Sequence, residues 1–449
     1  MAKLFGTDGV RGIANSELTA QLAFSLGQAG AYVLGLEAQR RAKIIVGADT
    51  RISGDMLEAA IAAGICSTGA QAELVGVIPT PAVAYLTRKL NADAGIVISA
   101  SHNSMEYNGI KFFNNQGYKL SDEIEEKIEQ YINDNIIPQN LPTGGGLGRI
   151  VRNLNAKDYY MEYAKDTVSE TFNGLKVAID CANGAASAIA CEIFQQLGAQ
   201  VFVINNKPDG LNINDGCGST HIEQLQGFTK KVGADLGIAF DGDADRMLAV
   251  DENGKTVDGD CIMLICALDA KKRGKLNNNT VTTTIMSNLG MFLAAEGLGI
   301  SIAKTKVGDR YVLEEMLDKG HNIGGEQSGH IIFLDYNTTG DGIITALQLV
   351  SVMNREGKSL SSLAGIMQKL PQVLVNAKVK NESKNTYLQD NEIITEIDRI
   401  EKMFSGKGRV LIRPSGTEPL IRVMIEGADY DLIAKQAKKL AMLIEQKTG

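Results

Sequence analysis

Lys43-Ile-Ile-Val-Gly-Ala48, then Asp49-Thr-Arg-Ile-Ser-Gly54, then a helical run from Met56 to Gly69, then Ala72-Glu-Leu-Val75: taken in order, this stretch decides the fold class. An apolar strand, a polar turn, a helix and a second strand make a βαβ unit. The same order returns twice. Leu175-Lys-Val-Ala-Ile179 leads through Asp180-Cys-Ala-Asn-Gly184 into a helix from about Ala185 to Leu197, and then into Gln200-Val-Phe-Val-Ile204. Thr280-Val-Thr-Thr-Thr-Ile285 leads through Met286-Ser-Asn288 into a helix ending near Glu296, and then into Gly299-Ile-Ser-Ile-Ala303. Copies starting at 43, 175 and 280 are too far apart for a solenoid repeat and point to three related α/β domains.

The tail differs. Val373 to Asn381, Arg409 to Arg413 and Leu420 to Ile425 are strand-like, while Ile393 to Phe404 and Asp431 to Gln446 have helical patterning. That is a small α+β domain. The divisions that follow are residues 1–150, 151–253, 254–367 and 368–449. Pro138 to Gly148 and Arg355 to Ser362 are the expected hinges.

The chain has 449 residues, 44% of them hydrophobic and 22% charged, an ordinary soluble composition able to bury several cores. No apolar run approaches the ~20 residues of a membrane span. The opening residues hold no signal-peptide apolar core, and six cysteines show no CxxC pair, so reduced thiols in a cytoplasm are expected. A net charge of −8 speaks against a nucleic-acid partner. An anionic substrate would need a local basic cluster.

Gly95-Ile-Val-Ile98 is an apolar strand that stops abruptly at Ser99-Ala-Ser-His-Asn103. It delivers the Ser101 hydroxyl to a strand end, where open α/β sheets hold their ligands. His102 beside it suggests a Ser–His pair, but adjacent residues rarely orient a base onto the neighbouring hydroxyl, and no Gly-x-Ser-x-Gly elbow is present. Asp241-Gly-Asp-Ala-Asp-Arg246 follows the strand Leu236 to Phe240. Its three carboxylates, spaced by two, can converge on one cation, and oxygen-only ligands suit Mg²⁺. An EF-hand would match Asp241, Asp243, Asp245 and Glu252, but its sixth position needs Gly and here is Arg246. Arg413-Pro-Ser-Gly-Thr-Glu-Pro419 sits between two strands and offers a guanidinium, two hydroxyls and free N–H groups to an anion. Gly324-Gly-Glu-Gln-Ser-Gly-His330 sets Glu326 and Ser328 two residues apart, so that both can face sugar hydroxyls. Arg11 lies in the glycine-rich Phe5-Gly-Thr-Asp-Gly-Val-Arg-Gly12.

Four of these blocks, Ser-Ala-Ser-His-Asn, Asp-Gly-Asp-Ala-Asp-Arg, Gly-Glu-Gln-Ser-Gly-His and Arg-Pro-Ser-Gly-Thr-Glu-Pro, occur in the order and spacing of the α-D-phosphohexomutase family, which the whole chain resembles. The opening octapeptide, Gln327 and the length are most similar to bacterial members that act on a glucosamine phosphate. The resemblance implies four domains around a central cleft: three similar α/β domains and a smaller C-terminal α+β domain. It implies a phosphoserine at Ser101, primed by a sugar 1,6-bisphosphate, and Mg²⁺ held by Asp241, Asp243, Asp245 and an oxygen on Ser101. Glu326 and Ser328 would contact the sugar, with His330 close by. Arg413, Ser415, Gly416 and Thr417 would grip the non-reacting phosphate. Arg11, Lys111 and Arg246 would surround the moving phosphoryl group. The partner would be a phosphosugar, with no nucleic acid or membrane, on a monomer or homodimer. The same chemistry on glucose or mannose phosphate, and a serine-nucleophile phosphatase, are the alternatives. One departure stands out: the family usually has proline after Ser-His-Asn, and here the residue is Ser104. Proline would fix its own φ and push Asn103 toward extended conformations. Without it the loop is either looser or held by other contacts.

Overall fold

The computed structural model describes residues 4–6, 8–35, 41–134, 141–380, 382, 384, 387–415 and 418–448. The chain forms two compact units, Met1–Met286 with Gly299–Ile366, and Ser287–Leu298 with Met367–Gly449.

The first unit contains three sheets. Sheet one has β1 (Val10–Ile13), β2 (Lys43–Ala48), β3 (Gln71–Val77), β4 (Ala94–Ile98), β5 (Tyr107–Asn114) and β6 (Ile150–Arg152), in the order β1-β5-β4-β2-β3-β6. β2 is parallel to both β3 and β4, and β5 turns back antiparallel to β4. Ile44, Val46, Ile96 and Ile98 are buried with Leu26, Leu57 and Ile61 from the helices Ala20–Gly35 and Ser53–Ser67. A parallel strand covered by helices reads as such a continuous apolar run.

Sheet two has β7 (Lys176–Asp180), β8 (Gln200–Ile204), β9 (Leu236–Phe240), β10 (Met247–Asp251) and β11 (Thr256–Val257), in the order β11-β10-β9-β7-β8. The helix expected over Ala185 to Leu197 is two pieces, a 3₁₀ turn Ala185–Ala188 and a helix Ala190–Gln196. Ile189, at φ −139°, breaks the run between them. Sheet three has β12 (Thr280–Thr284), β13 (Ser301–Thr305), β14 (Ile323–Gly325) and β15 (Ile331–Phe333), in the order β13-β12-β14-β15. Each sheet contains parallel pairs joined by a crossover, and each of the three βαβ readings lands on one of them.

The expected hinge Arg355 to Ser362 is a tight, anchored turn. Arg355 pairs with Asp269 at 2.8 Å and Glu170 at 2.7 Å. Gly357 ends the helix Gly342–Glu356 in the left-handed region, and the Ser359 side chain caps the helix Leu360–Ala364. Of the other expected hinge, residues 138–140 lie outside the described residues. Beyond them, the Arg41 guanidinium donates to the carbonyls of Gly145 and Leu147, both at 3.0 Å.

The second unit carries an antiparallel sheet of β16 (Gln372–Lys378), β17 (Gly408–Pro414) and β18 (Leu420–Gly427), in the order β16-β18-β17. Val423 and Ile425 of its central strand bury against Ile393 and Ile400 of the helix Asn391–Phe404 and Ile433, Leu440 and Ile444 of the helix Tyr430–Thr448.

Candidate active site

β4 ends at Ile98, and the chain turns sharply so that Ser101 takes φ +53°. A left-handed L-residue costs roughly 1–3 kcal/mol and persists only where its surroundings impose it. They do. Ser101 N–H donates to Ser99 Oγ at 2.9 Å, and Ser99 Oγ donates to Asp49 at 2.6 Å. Asp49 also pairs with Arg51 at 3.2 Å. Arg51, only 2% exposed, donates to the carbonyls of Ser101, Asn103 and Ser104 at 3.0, 2.9 and 3.3 Å. Asn214 adds bonds to the carbonyls of Ser101 and Asn103 at 2.9 and 3.0 Å. The missing proline is thus offset by a buried guanidinium and an amide, and the loop is held.

The Ser101 hydroxyl donates to Asp241 Oδ2 at 2.7 Å. Asp241 opens the loop between β9 and β10, an antiparallel hairpin that excludes the EF-hand. Glu252, the twelfth residue of that rival pattern, instead accepts from the Ser361 N–H at 3.1 Å. Oxygens of Asp241, Asp243 and Asp245 all lie within 4.8 Å of one another. Burial and then the charges of Asp245 and Asp243 push the Asp241 carboxyl well above its ordinary value. Asp243 Oδ1 and Asp245 Oδ1 are buried without a hydrogen-bond partner. Clustered, mutually repelling carboxylates with free buried oxygens fit a hard divalent cation. Gly242 makes the approach possible, because a Cβ there would stand 2.5 Å from the Ser101 carbonyl oxygen.

Basic groups converge on these acids. Lys111, 2% exposed on β5, reaches Asp243 at 2.9 Å, Asp8 at 3.0 Å and Asp245 at 3.9 Å. Burial works against its charge, but the three carboxylates outweigh it and raise its pKa. Arg11 pairs with Asp8. Arg246 lies 3.9 Å from Asp245 and donates to His102 Nδ1 at 3.0 Å. His102 Nδ1 also sits 3.3 Å from Ser101 Oγ. Burial, Arg246 and Arg11 all push the His102 pKa down, so its ring is neutral at neutral pH. It thus does face the serine, contrary to expectation, but the same Nδ1 accepts from the Arg246 guanidinium, so its lone pair is not free to take the serine proton as a triad base would. A cavity of about 950 Å³ opens beside these groups, lined in part by Asp8, Arg11, His102, Arg246, Glu326 and His330. Glu326 accepts from the Gly308 N–H at 3.2 Å, and His330 Nδ1 lies 3.5 Å from Asp245. Ser328 is exposed on the turn between β14 and β15 and is not among the residues lining that cavity.

In the second unit, Arg413 lies on β17 directly opposite Arg422 on β18. Burial and Arg422 both oppose the Arg413 charge. Ser415 is buried, and its hydroxyl accepts from the Glu418 N–H at 3.2 Å. Gly416 and Thr417 lie outside the described residues. Arg422 also lies 3.5 Å from the Glu418 carboxylate.

Models of the domains of phosphoglucomutase/phosphomannomutase match in chain order: alpha/beta/alpha domain I at residues 2–137, domain II at 158–254, domain III at 258–370 and the C-terminal domain at 374–443. The chain belongs to the phosphoglucomutase/phosphomannomutase family. It is 61% identical over 449 residues to a phosphoglucosamine mutase of Acetivibrio thermocellus, covering 100% of both chains. A phosphoglucosamine mutase of Clostridium novyi is equally similar, at 61% over 449 residues and 100% of both chains. The fold is shared with a phosphoglucomutase/phosphomannomutase family protein from Burkholderia thailandensis, at a TM-score of 0.80 and 23% identity over 100% of this chain and 98% of that one.

In this phosphohexomutase, Ser101, Asp241, Asp243, Asp245, Lys111 and Arg246 form one contiguous cluster, with Arg11, Glu326 and His330 around the adjoining cavity. Sequence inspection missed Arg51, Asn214 and Arg422. Only Arg422 left a readable signal: counting outward from a tight hairpin loop pairs it with Arg413. All six cysteines are free thiols, and no helix among the described residues is long and apolar enough to cross a membrane.

Proposed function

We infer that the chain interconverts glucosamine 6-phosphate and glucosamine 1-phosphate through a phosphorylated Ser101 and a bound 1,6-bisphosphate. The observation that carries this reading is the Ser101 hydroxyl 2.7 Å from Asp241 within an acid cluster fit for a cation. The choice of sugar rests on the relatives named phosphoglucosamine mutase.

In the first half-reaction the bond between phosphorus and Ser101 Oγ breaks as one forms to the C1 hydroxyl oxygen of the sugar, whose proton ends on Oγ. In the second, the bond between phosphorus and O6 of the bisphosphate breaks as one forms to Ser101 Oγ, whose proton ends on O6. Phosphoryl transfer asks mainly for positioning and neutralised charge. Asp241, Asp243 and Asp245, with an oxygen on Ser101, would hold Mg²⁺, which when bound supplies positive charge to the phosphoryl oxygens. Lys111, Arg246 and Arg11 neutralise the remaining charge of the moving group. Glu326 and Ser328 receive the sugar hydroxyls, with His330 beside them. Arg413, Ser415, Gly416 and Thr417 hold the phosphate that does not react, and Arg422 completes that grip. Such a substrate presents its two ends in turn, so the bisphosphate reorients between half-reactions. The reaction belongs in the cytoplasm, in keeping with the free thiols.

The test is turnover of glucosamine, glucose and mannose 6-phosphates with Mg²⁺ and a sugar bisphosphate activator, for wild type and Ser101→Ala. Glucosamine 6-phosphate is expected to be the best substrate, with Ser101→Ala inactive yet folded. A preference for glucose or mannose phosphate would move the protein to the sister activity. Steady release of inorganic phosphate would mark a phosphatase.

A further inference from the structure

We propose that Lys119 is a positioning residue for the phosphoryl transfer, acting through Asp8 and Asp309; the proposal rests on the mutase reading above. Lys119 Nζ lies 2.6 Å from Asp8 Oδ1 and 2.5 Å from Asp309 Oδ2, and no other lysine among the described residues joins the N-terminal loop of sheet one to sheet three in this way. Followed outward, these contacts close a ring around the cavity. Asp8 Oδ2 meets Lys111 at 3.0 Å, and Lys111 meets Asp243 at 2.9 Å. On the other side, Asp309 Oδ2 lies 3.6 Å from His330 Nε2, and His330 Nδ1 lies 3.5 Å from Asp245. Both arms therefore end on the acid cluster beside Ser101.

Asp8, Asp309, His330 and Arg11 line the cavity, whereas Lys119 does not. Its effect must pass through its partners. Its backbone is held: Asn114 accepts the N–H groups of Gln116 and Tyr118, and Lys119 bridges back to Phe113. Asp309 begins the helix Asp309–Lys319 on the far wall. Two carboxylates sharing one ammonium repel once it is removed. Asp309 would then draw away from His330, and Asp8 would shift the Arg11 and Lys111 that it pairs. No group that touches substrate would be lost, only its placement. Misplacement by about 1 Å costs on the order of a hundredfold in rate.

The test compares the full-length wild type with Lys119→Met, Lys119→Arg and Asp309→Asn on glucosamine 6-phosphate, with Mg²⁺ and a sugar bisphosphate. Lys119→Met is expected to lower kcat by about ten- to a hundredfold with KM within about threefold. Lys119→Arg, which keeps a cation able to reach both carboxylates, is expected to recover most of the loss. Asp309→Asn is expected to lower kcat by about tenfold and, combined with Lys119→Met, to add little further loss. A folded Lys119→Met enzyme with kcat within twofold of wild type, or no recovery in Lys119→Arg, overturns the proposal. Should Lys119→Met fail to fold, an unchanged kcat in Asp309→Asn overturns it instead. An inactive wild type would overturn the mutase reading itself, and so the two failures are distinguishable.

Discussion

The chain treats negative charge in two opposite ways. Around Ser101 most acids face a base: Asp243 and Asp8 share Lys111, Asp8 and Asp309 share Lys119, and Asp245 lies within reach of Lys111, Arg246 and His330, whereas Asp241 accepts from the Ser101 hydroxyl. In the hairpin of the second unit, Arg413 faces Arg422, and the charge of Arg413 is opposed by burial and by its neighbour. Like charges directly opposite on neighbouring strands are destabilising, by up to about 1 kcal/mol. The difference teaches what each place waits for. At the serine end most of the balance is built into the protein, and the unpartnered Asp243 and Asp245 oxygens mark what is left for a cation. At the hairpin end only Glu418, 3.5 Å from Arg422, supplies counter-charge, and the proposed phosphate would add the rest.

The largest effect expected is on the serine end. Stripping divalent cations with a chelator should lower turnover by more than about a thousandfold, since a metal contributes several kcal/mol of charge stabilisation. Re-adding Mg²⁺ should restore it. Activity that survives chelation would remove the cation from the account. Next, Lys111→Met should destabilise the protein by about 3–5 kcal/mol in denaturant unfolding, because it strands buried carboxylates without a partner. Arg422→Leu should leave stability unchanged or raise it by up to about 1 kcal/mol, while raising KM for the phosphosugar. Equal destabilisation by both variants would erase the contrast. Smallest of all, Ser104→Pro should change stability by no more than about 1 kcal/mol. The contacts that run through Ser104 from Arg51 and Tyr107 use its carbonyl oxygen, which proline keeps. A large loss there would mean that the loop depends on more than Arg51 and Asn214.

What could be read from the chain follows from how far apart the interacting residues lie. The strand Lys43–Ala48 starts and stops where its apolar run does, because burial of a parallel strand writes itself directly into composition. The aspartate trio was visible because its three members sit in one short loop. Ile189 interrupts its helix with no Gly or Pro to mark the place. The supports of Ser101 were invisible for another reason: Arg51 acts from 50 residues away and Asn214 from 113. Nothing in the local pattern around Asp49-Thr-Arg51 distinguishes a loop anchor from an ordinary polar turn. Lys119 was hidden in the same way, since its two acids are 111 and 190 residues distant. Ser328, placed by its motif at the sugar, is exposed on its turn.

The bond between Ser101 and Asp241 spans 140 residues. At roughly 5–20 residues per second, the ribosome releases the serine about 7 to 28 seconds before the acid that will face it. Through that interval the nascent chain carries a hydroxyl with no acid cluster, although β7, β8 and β9 of the second sheet are made before residue 241. Its reactivity is that of any serine. The Ser101 hydroxyl thus meets its acid only once the chain has been made past residue 241.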